Sequence, residues 1–137
     1  MCWPPPGLTP AAVEELLRFF SIAQLSLIRR ATADVEIGGT LIRAGEGVAA
    51  LSAAADRDPE AFADPDTFDV TRDKRGHLAF GSGPHQCLGR NLARLELRIV
   101  LGTLFRRVPT LRLATPRDEL RFVNGSAFSV SALPVAW

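Results

Sequence analysis

Cysteine, histidine and methionine are scarce in this 137-residue chain, and tyrosine is absent. Its two cysteines, Cys2 and Cys87, are too few for the disulfide framework of a small secreted domain. No apolar run approaches the roughly 18 residues of a membrane span. Residues 1–7, MCWPPPG, have no basic region followed by an apolar one, so they do not resemble a signal peptide. We therefore expect a cytoplasmic protein.

The chain also lacks an excess of charge of either sign. It has 16 basic and 15 acidic side chains and a net charge of +1, which gives no basis for binding nucleic acid or an anionic membrane. Its hydrophobic fraction is 47%, and the 11 glycines raise the apolar fraction above the usual ~45–50%. We interpret this excess as part of a core that lacks its partner.

What the sequence does contain is a glycine-rich loop around Cys87. Residues 80–89, FGSGPHQCLG, are called the cysteine loop below. Gly81, Gly83 and Gly89 permit turns with positive φ and close approach of another group to the backbone. A thiolate in such a loop, directly before a helix, lies among backbone N–H groups and near the positive end of the helix dipole. A thiolate stabilised in this way is a ligand for a soft or redox-active metal.

The sequence predicts three helices. The longest, at about Arg90–Arg107, is apolar on two faces and is predicted to be buried. A helix is predicted over Pro10–Phe20, with Thr9 as its N-cap. The alanine-rich stretch Gly47–Asp56 predicts a short helix.

Two hairpins complete the predicted fold. Apolar and polar residues alternate around Gly38-Gly39 and predict a hairpin over about Val35–Ile42. The Asn124-Gly125 turn signal predicts another over about Leu120–Val130. The fold class is therefore expected to be mainly α with small β-hairpins (α+β).

The segment FGSGPHQCLGRNLARLE resembles the haem-ligand signature of the cytochrome P-450 family, F-x-x-G-x-H-x-C-x-G followed by A-R-x-E. The five specified positions are Phe80, Gly83, His85, Cys87 and Gly89. The resemblance implies haem b as cofactor, with Cys87 as axial ligand of the iron. It also implies that Phe80 packs beside the porphyrin and that His85 reaches a haem propionate.

Two alternatives to the haem interpretation stay open at this point. A zinc site would use His77, His85 and Cys87, although the C-x₂-C and H-x₃₋₅-H spacings of zinc sites are missing. A lone cysteine beside glycine and proline can also be a buried apolar residue next to an ordinary turn.

The resemblance extends to a charged motif before the loop. Glu15-Leu-Leu-Arg18 matches the family's E-x-x-R, and Arg72 is the candidate third member of its buried charge network. The implied role is structural, because the network would support the cysteine loop. Without the resemblance, the spacing indicates only a surface ion pair, and Glu14 could pair with Arg18 equally well.

Other contacts with haem and substrate are also implied by the resemblance. Arg29 aligns best with the arginine that pairs with a propionate, Arg30 is the second choice, and an exposed arginine at a strand edge is the alternative. The residues implied to face the substrate are Leu25, Ser26, Leu27, Ala127 and Phe128. Such segments are more often plain core.

The resemblance covers residues 8–137, the expected C-terminal part of a bacterial P-450 domain, while residues 1–7 are expected to be a disordered lead. In the full-length family it implies a monooxygenase that inserts one atom of dioxygen into a small apolar substrate, with electrons from a redox partner of the ferredoxin or reductase type. The helix that carries the family's acid–alcohol pair has no counterpart here, so we expect this chain alone to be inactive. The alternatives are a non-catalytic truncated relic, a haem-binding module, or half of a split enzyme that needs the missing N-terminal portion as partner.

Overall fold

Short helices and short strands make up the described part of the chain. The structure is a computed structural model that describes residues 5–23, 27–72, 76–123 and 125–137. Its helices are α1 (Thr9–Phe20), α2 (Ser52–Ala55) and α3 (Arg90–Arg107). Its strands are β1 (Leu27–Arg30), β2 (Val35–Ile37), β3 (Thr40–Ile42), β4 (Gly47–Ala50), β5 (Arg112–Leu113), β6 (Phe122–Val123), β7 (Ser129–Val130) and β8 (Val135–Ala136). Single 3₁₀ turns lie at Pro6–Leu8, Gly83–His85 and Arg117–Glu119.

The strands pair into two-stranded antiparallel sheets. In the first sheet β1 pairs with β4, and the β2–β3 hairpin lies between them in the chain. Gly38 and Gly39 turn this hairpin with φ of +57° and +76°, values that suit glycine in a two-residue turn. The β6–β7 pair confirms the second predicted hairpin, although Asn124 of its turn lies outside the described residues. β5 pairs with β8 near the C-terminus.

Helix α1 carries most of the buried apolar side chains. Ala12 and Val13 have no exposed surface and Leu17 is buried beside them, so the core lies under this helix. The prediction of Thr9 as N-cap is wrong, because Thr9 already belongs to the helix and Leu8 holds the capping position without a side-chain cap. Thr9 instead packs on α3 at a glycine: a Cβ added to Gly102 would lie 3.6 Å from the Thr9 methyl.

The predicted helix over Gly47–Asp56 is wrong in its first half. Gly47–Ala50 form strand β4, with Val48 opposite Arg29 of β1, and only Ser52–Ala55 are helical. Pairing with β1 decides this conformation, because local helix propensity is weak compared with a ladder of backbone hydrogen bonds.

Helix α3 has its predicted bounds but not its predicted burial. None of its described residues is buried. Leu92, Leu95 and Ile99 keep 59%, 54% and 58% of their surface exposed. Helix α1 packs against one side of α3, so the apolar pattern on its other sides remains uncovered. Among the described residues, no helix is both long and apolar enough to span a membrane.

Candidate functional site

The cysteine loop closes on itself through backbone hydrogen bonds. The N–H of Cys87 donates to the carbonyl of Phe80 over 2.9 Å, and the N–H of Gln86 donates to the carbonyl of Gly83 over 3.0 Å. Gly81 and Gly83 have φ of +70° and +76°, a region that other residues rarely adopt. The two glycines therefore allow the chain to turn twice between the phenylalanine and the cysteine.

Cys87 is a free cysteine with an exposed side chain. It lies directly before α3, and its carbonyl accepts the N–H of Arg90 over 3.3 Å. A Cβ added to Gly89 would lie 3.9 Å from the sulfur, so the chain passes close to the thiol at this glycine. The thiol is thus presented at the helix start with its sulfur accessible.

A cavity of about 820 Å³ brings together five of the seven residues that the resemblance assigns to the cofactor. Its volume falls within the range of small-molecule and cofactor sites, ~300–1,000 Å³. The predicted site residues on its wall are Arg29, Phe80, Gly81, His85 and Cys87. Apolar residues of α1 and α3, Leu17, Leu97 and Val100, complete much of the remaining wall. The wall therefore combines one thiol, two basic side chains and the acidic Glu96 with a largely apolar surface.

The two candidate arginines on β1 take different places. Arg29 lines the cavity and donates to the carbonyl of Ile28 over 3.0 Å. Arg30 instead donates to the carbonyl of Gly45 over 2.9 Å. Because consecutive side chains of a strand point to opposite faces, only one of the two can face the cavity.

Glu15, Arg18 and Arg72 meet in a charge cluster away from the cavity wall. The Arg18 guanidinium donates to both carboxylate oxygens of Glu15 over 2.9 Å, and neither side chain is exposed. The Nε atom of Arg72 lies 3.5 Å from the Glu15 carboxylate. The backbone N–H of Asp69 donates to the same carboxylate over 2.9 Å. Burial raises the pKa of Glu15, but the bonds from Arg18 and Asp69 and the nearby positive charges outweigh it, so the pKa lies below its usual value.

Sequence reasoning missed a second charge cluster, centred on Glu14. It considered Glu14 only as a partner of Arg18, but Arg94 of α3 donates to both carboxylate oxygens over 2.8 and 3.0 Å. His77 lies 3.1 Å from the same carboxylate. Burial raises the pKa of Glu14, but the hydrogen bonds from Arg94 and His77 and the nearby positive charge outweigh it, so the pKa lies below its usual value. The partners lie 63 and 80 residues away, and no local pattern indicates them.

Asp56 is a further polar residue that the sequence did not indicate. It has no exposed surface and accepts hydrogen bonds from the Ser21 hydroxyl over 2.7 Å and from the Leu78 N–H over 2.6 Å. Its carbonyl accepts a bond from Arg18 over 2.7 Å. Asp56 therefore links the end of α1 to the segment that leads into the cysteine loop.

The residues implied to face the substrate are only partly described. Leu25 and Ser26 lie outside the described residues, and Leu27 is the first residue of β1. Ala127 forms a bridge with Ala23, a residue of the cavity wall. Phe128 stacks on Phe122, with ring centroids 5.0 Å apart.

The donor set fits a haem better than a zinc ion. Among the residues that the structure describes, no group of three His, Cys, Asp or Glu could hold a metal ion, so His77, His85 and Cys87 do not converge. One thiol in a largely apolar wall that also carries Arg29 and His85 suits a flat apolar group that carries iron and carboxylates.

Comparison with known proteins decides the family. The family model described as Cytochrome P450 matches residues 7–129. The chain belongs to the cytochrome P450 family. This P450 chain is 56% identical over 133 residues to pentalenic acid synthase of Streptomyces avermitilis. The alignment covers 96% of this chain and 33% of the relative. It is 54% identical over 132 residues to vitamin D3 dihydroxylase of Streptomyces griseolus, and this alignment covers 96% of this chain and 32% of the relative.

Solved P450 structures share the fold. Cytochrome P450 MoxA from Nonomuraea recticatena superposes with a TM-score of 0.93 at 57% identity, covering 97% of this chain and 33% of that one. Mycinamicin VIII C21 methyl hydroxylase MycCI from Micromonospora griseorubida superposes with a TM-score of 0.91 at 52% identity, covering 96% of this chain and 34% of that one. The chain thus spans about a third of the length of the relatives it matches. The resemblance and the fold class, helices with small sheets in a partial P450 fold, are both confirmed.

Proposed function

We propose that this chain forms the haem-thiolate portion of a cytochrome P450 monooxygenase, with residues 8–137 as the C-terminal part of the domain. Cys87 would be the axial ligand of the iron of haem b. The observation that carries the proposal is that the thiol of Cys87 and the side chains of Arg29 and His85 line one cavity of about 820 Å³. A thiol can ligate the iron, basic side chains can pair with the propionates, and an apolar wall can cover the porphyrin.

Each remaining site residue has a role that its position supports. Arg29 and His85 would bind the propionates, because both are donors to carboxylates. Phe80 would pack its apolar ring against the porphyrin beside the sulfur. Gly81, Gly83 and Gly89 would let the loop backbone approach the cofactor closely.

Glu15, Arg18 and Arg72 would have a scaffold role. Arg18 donates to the carbonyl of Asp56, whose carboxylate accepts the Leu78 N–H shortly before the cysteine loop, and the pair Glu15–Arg18 is fully buried. A buried pair with several backbone partners resists displacement, so it would keep the loop segment in place when the cofactor enters.

A bound haem supplies redox chemistry with dioxygen, and thiolate ligation favours cleavage of the O–O bond. The whole enzyme would insert one oxygen atom into a small apolar substrate, with electrons from a redox partner of the ferredoxin or reductase type, and would work in the cytoplasm. Relatives named as a dihydroxylase and a methyl hydroxylase support an oxygen-inserting reaction.

A second candidate is a module that binds haem or forms half of an enzyme without hydroxylating alone. The apolar face of α3, where Leu92, Leu95 and Ile99 are more than half exposed, favours it, because that face needs a covering partner. Regiospecific product from the purified chain with a redox partner would contradict this candidate.

A haem titration of the purified chain tests the proposal. The chain is reduced and exposed to carbon monoxide, and Cys87→Ala is the matched control. A red-shifted Soret band of the thiolate type that the variant lacks is the expected result. A folded chain without such a band, or a band that Cys87→Ala retains, would contradict the assignment of Cys87.

A further inference from the structure

His77 lies just before the cysteine loop and is not among the residues proposed to contact haem. Its side chain is only 4% exposed. The Nε2 atom lies 3.1 Å from a carboxylate oxygen of Glu14, and the backbone N–H of Ala79 donates to Nδ1 over 3.3 Å. Both ring nitrogens are therefore engaged, one by helix α1 and one by the backbone that enters the loop.

These two contacts determine the tautomer of the ring. A backbone N–H can donate only to a ring nitrogen without hydrogen, so Nδ1 of His77 is the acceptor. The hydrogen then lies on Nε2, which donates to the Glu14 carboxylate. The imidazole thus connects α1 to the backbone at Ala79 through one donated and one accepted hydrogen bond.

The backbone that His77 holds leads directly to the cysteine. Ala79 precedes Phe80, whose carbonyl accepts the N–H of Cys87 over 2.9 Å. On the other side of Ala79, the N–H of Leu78 donates to the buried carboxylate of Asp56 over 2.6 Å. Two consecutive backbone N–H groups are therefore fixed by side chains, immediately before the residue that closes the loop on Cys87.

Two side chains that bind Glu14, those of Arg94 and His77, also lie beside the ring of Phe80. Arg94 donates to both oxygens of Glu14, and its guanidinium lies 4.8 Å from the centre of the Phe80 ring. The ring of His77 lies 6.5 Å from the same centre. One carboxylate thus orients two side chains next to the phenylalanine.

We propose that His77 is a positioning residue of the cysteine loop: with Glu14 it holds the backbone at residues 79–80, so that the loop carrying Cys87 is preformed before haem binds. The inference rests on the proposed function for the identity of the cofactor.

Substitutions of His77 separate its two contacts. In His77→Asn the side-chain amide reaches the position of Nδ1 and can accept the Ala79 N–H, but it is too short to reach Glu14. In His77→Gln the amide extends to the position of Nε2 and can donate to Glu14, but it leaves Ala79 without an acceptor. His77→Ala removes both contacts. Ser82→Ala, at an exposed loop residue, is the control.

Amide hydrogen exchange of the whole chain without haem is the deciding measurement. We expect His77→Ala to speed exchange at Ala79 and Cys87 about tenfold, with a smaller change in α1. His77→Asn should restore protection of Ala79 better than His77→Gln, and Ser82→Ala should match the unsubstituted chain. Unchanged exchange in His77→Ala, or a Cys87 amide that is unprotected in the unsubstituted chain, would overturn the proposal.

The same variants loaded with haem separate this inference from the proposed function. We expect His77→Ala to lose part of the red-shifted carbon monoxide band and His77→Asn to recover it, which a loss of stability alone would not produce. An unsubstituted chain with a protected loop but no such band would refute the haem site and leave the preformed loop standing. A normal band in His77→Ala would overturn the positioning role.

Discussion

The guanidinium of Arg18 donates two hydrogen bonds, each 2.9 Å long, to the carboxylate of Glu15, and neither side chain has any exposed surface. Arg18 also donates to the carbonyls of Asp56 and Pro65, so it links α1 to the segment that precedes the cysteine loop. In isolation, the spacing of Glu15 and Arg18 indicates only a weak ion pair on the surface. In the fold, the pair is buried and joins α1 to the backbone at Asp56 and at Pro65.

Removing one member of this pair should be costly. We expect Arg18→Met to destabilise the chain by about 3–5 kcal/mol, because it leaves the Glu15 carboxylate buried without its main partner. Urea denaturation measures the loss. Asp66→Asn is the control, since Asp66 is 88% exposed and its ion pair with Arg57 should contribute only about 0–1 kcal/mol. Equal losses in the two variants would show that Arg18 behaves as a surface residue.

Acid should destabilise the chain through Glu14 and Glu15. Both have a pKa below the usual value of 4.5 in the folded chain, so the unfolded chain binds protons more readily than the folded one. Their contribution to stability is fully present above about pH 4.5 and is lost as the pH falls through the lowered pKa values. Denaturation between pH 7 and pH 3 measures this, and Glu15→Gln should flatten the slope. A pH-independent stability in that range would contradict it.

Two glycines of the cysteine loop should differ in their tolerance of alanine. Gly83 has a φ of +76°, where a side chain costs roughly 1–2 kcal/mol, so Gly83→Ala should destabilise the loop by about that amount. Gly89→Ala should cost less, because its φ is −79° and the new methyl would meet the Cys87 sulfur at 3.9 Å, an ordinary contact. Thermal unfolding of both variants decides this, and a larger loss at Gly89 would contradict the geometry.

The uncovered apolar face of α3 should make the isolated chain prone to hydrophobic self-association. We expect it to bind a hydrophobic dye and to self-associate, since Leu95 and Ile99 are 54% and 58% exposed. Leu95→Lys with Ile99→Lys should reduce both effects with little change in the unfolding free energy. Leu17→Lys, at a buried residue of α1, is the opposite control and should unfold the chain. Unchanged dye binding in the α3 variant would show that this face is covered.

Local sequence patterns were sufficient to predict those helices and hairpins whose signals lie in neighbouring residues. The bounds of α3 follow from apolar periodicity, and the β2–β3 hairpin follows from two glycines between alternating residues. The family is readable from residues 80–96 because a ligand loop requires particular residues within a short window. The same locality explains the error at Gly47–Ala50, where pairing with a distant strand overrides an alanine-rich composition.

By itself the sequence determined the family and the loop that presents Cys87, since each depends on residues a few positions apart, and the resemblance indicated that Glu15 pairs with Arg18. Only the tertiary structure decided that Glu14 turns to His77 and Arg94, that Asp56 is buried, and that α3 is exposed. These contacts join segments separated by 22 to 80 residues, and burial depends on what packs against a surface. A linear pattern specifies the apolar face of a helix, but only the packing of the whole fold specifies whether anything covers it.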